Sequence, residues 1–234
     1  MSNREMAQEL HDLFVPESAW DRLRPAVVES FGGLASTARL LDLGAGTGLS
    51  MRLLAECSEA RIIAVEPAAG ARTALLARVA DDPALTGRVS VLAGAAPEVL
   101  EEISDPLDGV LCAHVIGHLD SGQRRATLAS LARLLTPRAP IVITAPQHPR
   151  QPEAEVVEEH REIGELTYTV RYHLTGAKAG IEADEVRDGE RLLRAAEGEN
   201  NWATVTQDEL HRDAAEAGLR LEPSSPSVAI LRAA

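Results

Sequence analysis

Asp42, Glu66, His114 and His118 are the side chains whose type and spacing could carry chemistry, and a glycine run, Gly44-Ala45-Gly46-Thr47-Gly48, stands between the first two. Glu66 lies about twenty residues beyond the run, where an acidic side chain at the end of a second strand can take both hydroxyls of a ribose. A carboxylate suits that task because it accepts two hydrogen bonds from a cis-diol. The glycines allow positive φ at one position and leave no Cβ where ligand and backbone approach closely. His114 and His118 are the candidate acid–base groups. A histidine that follows a strand also serves to cap backbone groups, and both readings stay open.

The elements that must position these groups follow from hydrophobic spacing. Arg39–Leu43 reads as a short apolar strand running into the glycine turn, and Leu49, Leu53 and Leu54 then fall on one side of a helix. The spacing Gly44-x-Gly46-x-Gly48 brings the third glycine one residue early for a dinucleotide fingerprint. Leu49-Ser50 stands where a P-loop needs Lys-Ser or Lys-Thr. Ile62–Val65 is a continuous apolar run, as in a strand buried on both faces. The spacing predicts a helix over Ala68–Ala80, a strand over Val89–Ala93 closed by Gly94, and a short helix over Pro97–Ile103. It then predicts a strand over Asp108–His114, a helix over Gln123–Leu135 and a strand over Ile141–Thr144. Five strands alternating with helices imply a parallel, doubly wound sheet whose ligand crevice lies at the carboxyl ends of the strands. Asp42, Gly44, Glu66, Gly94 and His114 all fall at such ends.

The stretch Leu41-Asp42-Leu43-Gly44-Ala45-Gly46-Thr47-Gly48 resembles the first motif of the class I S-adenosylmethionine (SAM) dependent methyltransferases. Leu107-Asp108-Gly109-Val110 with Val115-Ile116-Gly117-His118-Leu119 resembles the family's fourth-strand region. The resemblance spans Leu40–Ile143 and extends to Thr206–Ala234, where a capping box (Thr206 to Glu209), a helix ending at Gly218 and two closing strands match the family's last helix and strands. It implies an α/β fold with a mostly parallel seven-stranded sheet. It also implies SAM as cofactor, S-adenosylhomocysteine as product, and methyl transfer to an N, O or C atom of a small metabolite, as in specialised metabolism. The cofactor-binding positions it implies are Asp42, Gly44, Ala45, Gly46, Gly48, Glu66, Pro67, Gly94, Ala95, Ala96 and Ala113. Many members carry an acidic residue after the third strand to bind the adenine amine; Ala95-Ala96 stands there, so adenine is expected to rest on backbone groups and packing. The end of the fourth strand lies beside the reactive methyl in the family, which makes His114 and His118 the expected catalytic pair. Trp20, His148, His173 and Trp202 are the expected acceptor-pocket residues. Two other functions remain open: a protein of this fold that binds SAM without transferring methyl, and an NAD(P)-dependent oxidoreductase.

Around this core the expected layout is one domain over 1–234. It has an N-terminal helical cap (1–35), a SAM-binding core (36–146), an inserted antiparallel lid (147–205), and the last helix with two strands (206–234). Met6, Leu10, Leu13 and Phe14 give the first helix an apolar stripe, and Pro25 is expected to end or kink the second. Glu153–Glu162 reads as a charged helix. Leu166, Tyr168, Val170, Tyr172 and Leu174 alternate with polar residues as a half-buried strand, with core packing expected for the two tyrosines. Asp188-Gly189 marks a hairpin. The insertion is read as a lid or a homodimer contact. A net charge of −13 disfavours nucleic acid. Cys57 and Cys112 show neither metal nor redox spacing, so no metal is expected, and two reduced thiols suit a cytoplasmic protein. The first ten residues are too polar for a signal peptide or membrane span.

Overall fold

The computed structural model describes residues 3–15, 17–144, 155–175, 178–199, 203, 205–225 and 227–233. The chain divides into two compact units, Ser18–Gln147 with Val205–Ala234, and Met1–Glu17 with His148–Thr204.

The larger unit is built on a seven-stranded sheet. Its chain runs α2 (Glu17–Phe31), β1 (Arg39–Leu43), α3 (Leu49–Cys57), β2 (Arg61–Val65), α4 (Ala69–Asp81), α5 (Pro83–Thr86) and β3 (Val89–Leu92). It continues through β4 (Gly109–Cys112), α6 (Ser121–Leu134), β5 (Ile141–Thr144), α7 (Gln207–Glu216), β10 (Leu219–Ser225) and β11 (Val228–Ala233), with 3-10 turns at Glu98–Glu102 and Ile116–His118. The strand order is β10-β11-β5-β4-β1-β2-β3. β1 to β5 pair in parallel, and β11 runs antiparallel between β5 and β10. This is the mostly parallel, doubly wound sheet expected from the sequence. Its order reverses between β1 and β4, so the crevice at a topological switch point opens beyond their carboxyl ends.

Strand alternation decides which groups reach which side. Leu41 and Leu43 join the core with Leu128 and Leu131 of α6 and Leu210 and Ala214 of α7. Leu40 joins the opposite core, with Leu23, Val27 and Phe31 of α2 and Met51 and Leu54 of α3. Asp42, two residues on, shares the side of Leu40. Gly109 opens β4 where a Cβ would come within 2.4 Å of Phe31 Cε1, so the missing side chain lets a fully buried Phe31 lie against the sheet. Pro25 does not end the helix: α2 runs through it. Burial of Leu23, Ala26, Val27 and Phe31 along one face outweighs the single backbone bond that proline removes.

α6 and α7 each start in a capping box, Asp120 with Gln123 and Thr206 with Glu209. Between them lies a buried ion pair, Arg124 Nε to Asp213 Oδ2, with the two side chains 7% and 5% exposed.

The smaller unit contains α1 (Asn3–Phe14) and the antiparallel sheet β6 (Glu155–Ile163), β7 (Leu166–Thr175), β8 (Lys178–Asp188) and β9 (Arg191–Glu199), in that order. The charged helix expected over Glu153–Glu162 is instead an edge strand across its described residues. Pairing with β7 in continuous register overrides the helix propensity of its glutamates, and Arg171 of β7 pairs with Glu158. Met6, Leu10 and Phe14 of α1 pack on Val170 and Val186, beside Leu166, Tyr168 and Tyr172. The residues expected as one helical cap are therefore divided, because the apolar stripe of α1 finds its partners on this sheet. The hairpin at Asp188-Gly189 is present, with Gly189 at φ 54. Asp184 is buried, and that burial, with Glu182 nearby, raises its carboxyl to about 7. No helix among the described residues is long and apolar enough to cross a membrane.

Replacing Asp213 with Ala leaves Arg124 buried without its carboxylate. The variant is expected to lose about 3–5 kcal/mol of unfolding free energy in urea titration, the usual cost of an uncompensated buried charge.

Candidate functional site

The glycine run turns β1 into α3 with Gly44, Gly46 and Gly48 all at positive φ: 73, 55 and 97. Two of these positions are also sterically closed to a side chain. A Cβ on Gly44 would lie 2.2 Å from Val115 Cγ2, across the switch point, and one on Gly48 would lie 2.7 Å from Leu75 Cδ1. At Gly46 a Cβ would meet nothing within 4 Å. The bend is thus packed from behind by Val115, just past β4, and Leu75 of α4, and open at its apex.

The N–H groups of this bend are turned inward. Gly44 and Ala45 both donate to the Val65 carbonyl, at 2.9 and 2.8 Å, and Gly48 donates to Ala45 at 2.8 Å. Gly46 donates to Glu66 Oε2 at 2.9 Å, while Ala68 donates to Glu66 Oε1 at 2.8 Å. A phosphate cradle needs such donors to face the ligand. Here four of them are already committed within the protein, so the bend does not offer that environment.

Glu66 is only 8% exposed and ties the end of β2 to the bend. Each of its oxygens has a second lone pair beyond the bond it accepts. Arg72 of α4 fixes the same corner, donating to the Glu66 and Pro67 carbonyls at 2.8 and 2.6 Å. Pro67 itself is exposed.

Asp42 is fully buried beneath the bend. Ser50 in the first turn of α3 donates to its Oδ2 at 2.7 Å, and Oδ1 has no hydrogen-bond partner among the described residues. Burial pushes the carboxyl up to about 7; the Ser50 bond opposes this and the nearby charge of Glu66 adds to it. The position expected to touch cofactor therefore lies under the bend rather than on its surface. Ser50, which the sequence reading did not select, is the residue that holds it; its place in the first helical turn, two residues past the glycines, was the available signal.

Beyond β3, Gly94 is packed closely by Val99, whose Cγ2 would come within 2.6 Å of an added Cβ. Ala95 is exposed and Ala96 buried, and Ala95 accepts the Val99 N–H at 3.0 Å. Ala113 is buried at the end of β4. His114 follows it, exposed, with φ 57, and its N–H donates to Thr144 Oγ1 at 2.6 Å. Trp20 of α2 meets the His114 ring edge-to-face, with centroids 5.9 Å apart. His114 also lines a cavity of about 70 Å³ with Arg22, Leu23, Thr144, Ser227 and Val228. His118 closes the 3-10 turn after β4, exposed, with its N–H bonded to Val115. His173 belongs to β7 of the smaller unit, where it pairs in register with Val156 and Ile181. His148 and Trp202 lie outside the described residues.

Residues 40–138 match a family model described as a methyltransferase domain. No curated protein matches the chain by sequence. Among solved structures, DesVI of Streptomyces venezuelae aligns with a TM-score of 0.74 at 17% identity, over 97% of this chain and 98% of that one. CalS10 from Micromonospora echinaspora, solved with SAM bound and described as an amino pentose methyltransferase involved in calicheamicin biosynthesis, aligns at 0.69 and 19% identity, over 92% and 89%. KedS8 from Streptoalloteichus, described as a sugar N-methyltransferase, aligns at 0.69 and 18%, over 93% and 88%. At these identities the likeness establishes the fold.

The raised carboxyl of Asp42 gives stability a definite pH dependence. Between about pH 4 and 7 the unfolded chain releases this proton while the folded chain keeps it, so its contribution to stability falls as pH rises. Below that window both states are protonated; above it the penalty is constant. Asp42→Asn is expected to remove this slope, and urea unfolding of parent and variant from pH 4 to 8 would show their difference changing by about 1.4 kcal/mol per pH unit crossed.

Proposed function

We propose that the protein is a SAM-dependent methyltransferase that binds its cofactor across the ends of β1 and β2 and methylates a small acceptor at the end of β4. The observation that carries this reading is the bend itself. Its inward-turned N–H groups and the carboxylate of Glu66 beside it suit a ligand with cationic groups and a diol better than one with phosphates. SAM has an ammonium group, a sulfonium and a ribose; a nicotinamide dinucleotide has a pyrophosphate. The match of residues 40–138 to a methyltransferase domain supports the same choice.

The residues present fit the cofactor. The open apex at Gly46 leaves room for its amino-acid tail, Glu66 keeps acceptor capacity for the ribose, and the Gly94–Ala96 corner offers backbone groups for the adenine. When bound, SAM supplies a methyl group already activated on sulfur, so the protein's work is positioning and exclusion of water. Glu66 orients the sugar while bracing the bend. Val115 and Leu75 hold the bend from behind, so the tail rests on a rigid floor. His114 presents its imidazole at the end of β4, where it can accept a proton from the acceptor.

For the acceptor we favour the amine of an amino sugar, the class named for CalS10 and KedS8. A neutral amine already carries the lone pair that attacks, so a histidine is needed only to keep it unprotonated. The two reduced thiols, Cys57 and Cys112, suit a cytoplasmic setting.

Calorimetric titration is expected to show binding of SAM and S-adenosylhomocysteine and none of NADH. Glu66→Ala should weaken S-adenosylhomocysteine by about 1.5–3 kcal/mol, the range for hydrogen bonds to a charged group. Incubation with methyl-labelled SAM and a panel of amino sugars and their nucleotide conjugates tests transfer. Binding of SAM with no labelled product across the panel would favour a SAM-binding protein without transferase activity.

A further inference from the structure

We propose that Thr144 is a positioning residue that sets His114 at the acceptor end of β4, an inference that rests on the methyl-transfer reading above. The β4–β5 ladder ends at Cys112 opposite Ile143. Just beyond it, the His114 N–H meets the hydroxyl of Thr144 at 2.6 Å. The hydroxyl thus captures the chain where His114 adopts φ 57, a left-handed conformation disfavoured for any residue with a Cβ. Strain of this kind persists where its surroundings enforce it, and it concentrates at functional sites.

The turn has a directional consequence. It brings the imidazole edge-to-face with Trp20 and into the wall of the cavity shared with Arg22, Thr144 and Ser227. A space of about 70 Å³ has room for a pair of water molecules or one small functional group. Its lining combines polar residues, Arg22, Ser227 and Thr144, with apolar ones, Leu23 and Val228. This pattern fits a single oxygen-bearing substituent of the acceptor, with the reacting atom at His114. Thr144 is itself buried, and β11 flanks it through the pairing of Thr144 with Val228. The hydroxyl is therefore held by the sheet, and the sheet's rigidity is passed to the histidine.

The test uses the full chain and needs no acceptor. Thr144→Val keeps the branched shape and removes the hydroxyl; Thr144→Ser keeps the hydroxyl. The His114 ring-proton signals, assigned by their loss in His114→Gln, carry the ring-current signature of the Trp20 contact. In Thr144→Val they are expected to move towards their positions in Trp20→Leu, and the His114 amide should exchange faster with solvent. In Thr144→Ser both should stay at parental values. Parental ring signals and amide exchange in Thr144→Val would overturn the proposal, as would failure of Thr144→Ser to retain them. If Thr144→Val does not fold, Thr144→Ala provides the same comparison. S-adenosylhomocysteine affinity is expected to stay within about twofold in every Thr144 variant, because the bend and Glu66 are untouched. Absence of S-adenosylhomocysteine binding in the parent would remove the methyl-transfer reading, while the His114 signals would still decide the role of Thr144.

Discussion

The carboxylate of Glu66 bridges two backbone N–H groups that belong to different turns, Gly46 after β1 and Ala68 after β2. Most of the site depends on this bridge. The parallel pairing of β1 and β2 brings the two turns side by side, but pairing alone leaves their N–H groups without acceptors. The two oxygens of a carboxylate take one N–H each and keep acceptor capacity to spare. Glu66 thus serves the fold and the proposed ligand with the same atoms. Its location at a strand end, where the ladder stops, is what leaves the carboxylate available for both tasks.

The remaining site architecture is a matter of which elements lie behind the bend. Gly44 and Gly48 are glycines because Val115 and Leu75 occupy the space their side chains would fill. Asp42 is placed under the bend by strand alternation, which sends Leu41 and Leu43 to one core and Asp42 to the other. There it meets Ser50 and little water, and burial raises its carboxyl. A charged group so placed adds no ordinary stability.

The seven-stranded sheet was legible because its signals are local: apolar runs of strand length, punctuated by glycine and proline, alternating with helical spacing. The glycine bend and Glu66 were legible for the same reason. What escaped was decided by partners outside the segment itself. Glu155–Ile163 is rich in helix formers, and only β7, which pairs with it, makes it a strand. Pro25 is a local breaker overruled by a buried helix face. α1 has an apolar stripe that announces burial but does not say against what, and its partners lie on β7 and β8. Thr144 and Ser50 are ordinary residues in their own segments; contacts with His114 and Asp42 give them their significance.

The insertion of β11 between β5 and β10 also constrains how the molecule comes into being. β5 is completed early in the chain, yet its second neighbour is not made until Val228 has emerged from the ribosome. Throughout that interval, while β6 to β9 are being synthesised, Ile141–Thr144 presents an unpaired edge of the kind that recruits foreign strands. Nascent chains at this stage are the form most exposed to chaperone capture and to aggregation, and a clean yield of folded protein depends on how quickly the last hairpin seals the gap.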